Sequence, residues 1–179
     1  MTELTSVLRA YAERWPGEDE VVDRFLRFIE KEPDAYERSC VPGHLTGAAL
    51  VVPPSLDAVL LTHHRKLDKW LQLGGHADGD PDILRVALRE AREESSLESI
   101  RSVSTDIFDV DIHVIPARGS EPEHRHYDVR FLFEADRNEP LTVSAESRSL
   151  AWIPLTEVAR LNPEQSVTRM VGKTDIIAA

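Results

Sequence analysis

Two helical periods open the chain. Leu4, Val7, Leu8, Tyr11, Ala12 and Trp15 recur at three- and four-residue spacing over residues 3–15, and Pro16-Gly17 stops that helix. Val21, Val22, Phe25, Leu26 and Ile29 repeat the pattern and predict a second amphipathic helix. From His44 the period changes. LTGAALVV reads as a buried strand, Pro53-Pro54 interrupts it, and AVLLTHH resumes as a second strand. No periodicity explains HHRKLDKWLQL, residues 63–73, which leads straight into Gly74-Gly75.

A third helix follows an acidic loop. Asp80 is placed to cap it, Pro81 suits its first position, and Asp82 complements the positive end of its dipole. Ile83, Val86, Ala87 and Ala91 form its apolar stripe. Beyond Leu97, Phe108, Val110, Ile112 and Val114 alternate with Asp109, Asp111 and His113, the pattern of a half-buried strand. YDVRFLFEA, residues 127–135, is another strand with Tyr127, Val129, Phe131 and Phe133 on one face. SLAWIPL, residues 149–155, is a short one. Asn162 to Gln165 starts a last helix, and Gly172 ends it.

Composition narrows the class. A chain of 179 residues suits one domain, or one domain with an extension. No apolar run approaches a membrane span and no cleavage pattern follows the first helix, so the expectation is a cytoplasmic protein without signal or anchor. A net charge of -11 argues against binding nucleic acid or anionic membranes. The single cysteine, Cys40, lacks partners for a disulfide or a thiolate metal site and reads as a small buried side chain.

Glu90, Glu93 and Glu94 stand three and four positions apart, which stacks three carboxylates on one helical face, off the apolar stripe. Their mutual repulsion favours no isolated helix. A bound divalent cation would convert it into coordination, whereas a solvated acidic face would leave it screened. Residues 63–69 gather His63, His64, Arg65, Lys66 and Lys69 in an otherwise acidic chain, either as a solvated loop or as a cationic wall facing phosphates. His124 and His126 alternate at strand spacing and share a face. With His63, His64 and His76 they bring zinc to mind, but no structural-zinc spacing is present. They line a cleft or stand exposed near a strand start, or they contact a substrate phosphate or leaving group.

The run from Gly75 through Arg89, Glu90, Ala91, Glu93 and Glu94 to Leu97 resembles the Nudix box, G-x5-E-x7-R-E-U-x-E-E-x-G-U, with every one of these residues in register. Two positions depart. Pro81 replaces the first glutamate and Ser96 the last glycine. Asp80 or Asp82 could take over the loop support, and a left-handed serine would cost on the order of 1 kcal/mol against glycine. The resemblance runs from about His44 to the last helix. It implies an α/β fold, the Nudix α/β/α sandwich with a mixed β-sheet, over residues 41–179, and leaves residues 1–40 as an N-terminal helical extension packed on it.

By that resemblance, Glu90, Glu93 and Glu94, with the Gly74 carbonyl, hold Mg2+ or Mn2+. Arg89 orients the glutamates, and Glu146, six residues before Trp152, is the candidate further ligand or general base, ahead of Glu121 and Glu123. His63, His64, Arg65, Lys66, His76, His124 and His126 are candidates for substrate contact. The implied activity is metal-dependent hydrolysis of a nucleoside diphosphate derivative or similar small diphosphate. A Nudix-fold binding module without hydrolysis is the alternative, and an isomerase of the isopentenyl diphosphate type ranks third because Cys40 lies outside the match. The expected partner is a small-molecule diphosphate, with no nucleic acid and no membrane, and a homodimer is common in such folds.

Overall fold

The computed structural model describes residues 3–145 and 147–177. In chain order it contains α1 (Glu3–Arg14), a 3-10 turn (Pro16–Glu18), α2 (Asp19–Lys31), β1 (Gly43–Val52), β2 (Ala58–His64), β3 (Lys69–Leu71), β4 (Leu73–His76) and α3 (Ile83–Ser95). There follow β5 (Arg101–Ser102), β6 (Asp109–Ile115), β7 (His124–Glu134), β8 (Ser147–Pro154), α4 (Leu155–Leu161), α5 (Gln165–Gly172) and α6 (Thr174–Ile177). No helix among the described residues is long and apolar enough to cross a membrane.

A strand that is apolar on both faces belongs in the middle of a sheet. β1 is buried along its whole length and occupies that place. It runs parallel to β7 in unbroken register from Gly43 opposite Arg125 to Val52 opposite Glu134. Along its other edge it pairs antiparallel with β4 and, at Val51, with β2. β3 and β8 flank β2, and β5 and β6 flank β7, all antiparallel. One parallel pair among antiparallel ones makes the sheet mixed, as expected.

Alternate residues of β1 enter two separate cores, which fixes the layering. Leu45, Ala49 and Val51 pack with Leu8, Phe25, Val86 and Ala87 from α1, α2 and α3. Leu50 and Val52 pack with Val158, Val167 and Met170 from α4 and α5. Helices therefore cover both faces, giving the α/β/α sandwich. The two N-terminal helices share the first core: Tyr127 of β7 stacks on Phe28, ring centroids 3.8 Å apart, and meets Phe25 edge-on. α3 lies so close to β1 that a Cβ on Gly47 would come within 2.9 Å of the Ile83 carbonyl.

Three expectations need correction. The basic segment 63–73, which no periodicity explains, is a hairpin, β2 to β3, closed by a turn in which Asp68 adopts φ 54°. That left-handed residue carries no glycine signature, which hid the turn. The helix start at residue 80 falls two residues later, because Asp80 accepts the Asp82 N–H (2.9 Å) and Asp82 itself caps α3 through the Arg85 N–H (3.0 Å), leaving Pro81 ahead of the helix. Finally, the polar face of β6 and β7 around Asp109, Asp128 and Arg130 is not solvated.

α5 covers that face, and Arg130 is 2 % exposed. Its guanidinium donates to Asp128 (2.8 Å), Asp109 (3.0 Å) and Ser166 of α5 (2.8 Å). Asp109 also accepts from Arg169 and from Lys173 (2.6 Å), and Lys173 reaches on to Glu18 (2.7 Å) and the Tyr11 hydroxyl (2.6 Å). Burial works against charge on Arg130, but Asp128, Asp109 and Asp111 outweigh it and hold the guanidinium protonated. Breaking a buried pair from one side strands a charge. Arg130→Ala should therefore cost about 3–5 kcal/mol in urea unfolding; a loss within the about 1 kcal/mol of a surface pair would refute this account.

Candidate active site

The site grows from the contact between α3 and β4. The stripe Ile83, Val86, Ala87 and Ala91 is buried as read, and it turns Arg89, Glu90 and Glu94 toward the glycine strand. Glycine at position 75 leaves room for the Glu90 carboxylate, which a Cβ there would displace. Gly74, with φ 155°, donates its N–H to Glu94 (3.0 Å). Arg89 donates from Nη2 to Glu90 (2.6 Å) and to the His76 carbonyl (3.1 Å), so one guanidinium ties the helix carboxylate to the end of β4. Glu93 faces solvent.

Burial raises the pKa of the Glu90 carboxyl, Arg89 pulls it back, and the nearby charges of Glu93 and Asp78 push it up again. Extra positive charge at this point would relieve all of these strains at once. The donors are anionic oxygens, which suits a hard divalent cation held by one or two carboxylates together with waters and phosphate oxygens. The three glutamates do not converge on a single point: among the described residues, ligand atoms gather only at His44, His124 and His126. The residues present fit Mg2+ or Mn2+ by donor chemistry, with Glu90 and Glu94 already steered by a partner.

The loop before α3 is anchored from the N-terminal segment. Arg38 grips Asp78 with two hydrogen bonds of 2.9 and 2.7 Å, and Tyr36 accepts the Gly79 N–H. Asp80 takes Arg85 with two more, at 2.9 and 2.6 Å. Asp80 and Asp82 between them thus hold the loop where Pro81 stands in place of the box's first glutamate. At the other end, Ser96 adopts the left-handed conformation, φ 59° and ψ 17°, that the box assigns to glycine.

The remaining sequence candidates divide in two. His63 bonds Asp68 (3.0 Å) and stacks on Trp70, His64 accepts the Leu67 N–H, and Arg65 donates to the Ser147 carbonyl. Lys66 is exposed in the turn. These contacts close the β2–β3 hairpin and tie it to β8. Glu121 and Glu123 are exposed, Glu121 in a tight turn with Arg118. Glu146 lies outside the described residues.

His76, His124 and His126, by contrast, come together, and two residues that sequence reading did not include join them. His44 of β1 stands in register with His126 of β7, which stands in register with His113 of β6, while His76 of β4 faces Thr46. The result is a row of histidines across four adjacent strands, with ring centroids 4.9–5.4 Å apart. Burial and then the neighbouring cations lower His76 to about 4, and burial also pushes His44 and His126 down. Burial opposes charge on His113 as well, but its hydrogen bond to Asp111 and the nearby Asp128 raise it. No signal local to residues 44 or 113 distinguishes them from ordinary strand polars; only the pairing of β1 and of β6 with β7, which sets each opposite His126, does.

A glutamate helix clamped over a glycine strand inside an α/β/α sandwich defines a Nudix-type site. The family model described as "NUDIX domain" matches residues 43–170, and the chain belongs to this family of pyrophosphohydrolases. Among solved structures, a C. elegans Ap4A hydrolase is similar with a TM-score of 0.61 at 15% identity, covering 75% of this chain and 96% of that one. A MutT protein from Methanosarcina mazei Go1 gives 0.56 at 17% over 76% and 96%. The Nudix hydrolase RenU from M. Smegmatis gives 0.55 at 19% over 76% and 86%. At these identities the likenesses bear on the fold. No curated protein matches the chain.

The left-handed Ser96 makes a direct prediction. Ser96→Gly should stabilise by about 0.5–1 kcal/mol, the left-handed penalty less the entropy glycine adds to the unfolded chain. The urea midpoint rises at constant slope; an unchanged or lower midpoint refutes it.

Proposed function

We propose that this chain hydrolyses a diphosphate linkage in a nucleoside diphosphate derivative or a similar small organic diphosphate, with Mg2+ or Mn2+ held by Glu90, Glu93, Glu94 and the Gly74 carbonyl. The observation that carries the reading is the clamp of α3 on β4, with Glu94 on the Gly74 N–H and Glu90 under Arg89. Bound there, the metal supplies charge neutralisation on the diphosphate and an activated water. Everything else is the work of the chain.

Arg89 spends its Nη2 on both Glu90 and the His76 carbonyl, which supports an orienting role for that arm of the guanidinium. Glu93, exposed and unclamped by any of these bonds, is the carboxylate free to meet the ligand from solvent, and Glu146 keeps the role of further ligand or base. The non-hydrolytic alternative rested on Pro81 and Ser96. Both departures are absorbed locally, by Asp80, Asp82 and Arg38 at one end and by the left-handed serine at the other. Neither touches a metal carboxylate. Residues 1–40 act on this reading as an extension that shapes the box loop.

Glu94→Gln should abolish turnover, a loss of at least about 100-fold corresponding to about 2.7 kcal/mol of barrier, while the unfolding midpoint stays close to that of the parent. The assay is phosphate release from nucleotide sugars, dinucleotides, nucleoside triphosphates and coenzyme A with Mg2+ or Mn2+. Full activity in the variant would sink the assignment, and failure across the panel by a protein that binds metal would favour the binding module.

A further inference from the structure

We propose that His44, His124 and His126 form a second metal site, separate from the glutamates, that takes a borderline transition cation of the zinc type. One ring nitrogen from each lies within 4.8 Å of the other two. The three rings are set by the sheet itself. His44 and His126 are register partners on parallel strands, and His124 precedes His126 by one pleat on the same face. Their centroids are 4.9, 5.0 and 5.3 Å apart.

Two further observations point to a ligand. His44 is 2 % exposed, and neither of its ring nitrogens has a well-aligned hydrogen bond, although the Cys40 main chain lies near; the buried Nε2 of His126 has no partner either. Buried polar atoms are nearly always satisfied, at a cost of about 1–3 kcal/mol where they are not. The ring of His124 is already oriented. Its Nδ1 lies 2.9 Å from the Pro122 carbonyl, which can only accept, so Nδ1 carries the proton and Nε2 carries the lone pair. A carbonyl on the far nitrogen is the outer-shell partner that metal-binding imidazoles use.

Donor chemistry then selects the ion. Neutral imidazoles suit zinc, copper, nickel and cobalt, whereas Mg2+ prefers oxygen, so the two sites sort metals between them. Zinc–nitrogen bonds of about 2.0–2.1 Å place tetrahedral ligands about 3.4 Å apart, so the rings close by roughly an ångström on binding. Three protein ligands leave a fourth position for water or a substrate oxygen. His76, whose ring centroid is 5.0 Å from those of His44 and His126, flanks it.

The test uses the full chain, stripped by chelation and titrated with Zn2+ against a chromophoric chelator in excess Mg2+, with Co2+ absorption reporting geometry. One equivalent of Zn2+ should bind, and Co2+ should show tetrahedral ligand-field bands. His124→Ala and His126→Ala should each weaken Zn2+ by more than the about 10–100-fold that a lost outer-shell partner costs. Glu93→Gln and Glu94→Gln should leave both readouts unchanged, which keeps the outcome independent of whether the chain hydrolyses diphosphates. If His126→Ala fails to fold, the partly exposed His124 decides alone. No Zn2+ binding, unchanged affinity in a folded His124→Ala, or loss of binding only in the glutamate variants would each overturn the proposal.

Discussion

The carboxylate of Asp109 is the point on which this structure closes. It is fully buried and receives Arg130 from the neighbouring strand, Arg169 from α5 and Lys173 from just beyond it. Lys173 carries the connection to Glu18 and Tyr11, which belong to the N-terminal segment. Burial, reinforced by Asp109, holds the Tyr11 phenol protonated, so its hydroxyl donates to Glu18 while accepting from Lys173. Three parts of the chain that are remote in sequence thus meet on one anion. Apolar packing alone would tolerate some sliding of α5 over the sheet, but a carboxylate with several charged donors does not, because each displaced donor leaves an unpaired charge behind.

The same constraint reaches toward the histidines. Asp128, which shares Arg130, also accepts from Thr46 and Gln72. Thr46 faces His76 across the β1–β4 pair, and Asp128 lies one pleat beyond His126 on β7. The polar face of the sheet is therefore continuous from α5 to the histidine row. Fixing Arg130 fixes the register of the strands that present the histidines, and that register is what makes them neighbours.

How much of this was legible in the sequence depends on the range of the interaction. The apolar stripe of the box helix, β1, β2 and the helix ending at Gly172 rest on periodicity within a dozen residues, and apart from the later start of the box helix they stand where the pattern put them. The β2–β3 hairpin did not show because its turn is carried by Asp68 in a conformation more often signalled by glycine. The true cap of α3 depended on which aspartate side chain takes the Arg85 N–H, Asp82 taking it while Asp80 turns to the Asp82 N–H, and composition cannot settle that. Alternation predicts a wet face wherever the polar members of a strand line up, and the cover that α5 supplies over Asp109 and Arg130 is a long-range fact. His44 and His113 were invisible for the same reason, since a histidine becomes informative only when its strand neighbours are known.

The departures from the box take on a different meaning once the N-terminal segment is considered. Pro81 removes a carboxylate from the loop, and a loop that follows two glycines has few other restraints. Here the restraints come from outside. Arg38 holds Asp78 from the segment after α2, the Tyr36 carbonyl receives the Gly79 N–H, and Ala35 receives the Leu45 N–H at the start of β1. That segment is itself held by Phe25 and Phe28 against Tyr127. The support for the box loop has thus moved from one residue within the box to the residues that precede the matched segment. An acidic protein gains from the exchange, because the guanidinium of Arg38 brings positive charge beside Asp78 and toward Glu90, where burial and repulsion already disfavour another anion. The N-terminal helices are on this argument part of the site's framework, coupled to it through Arg38 and Tyr36.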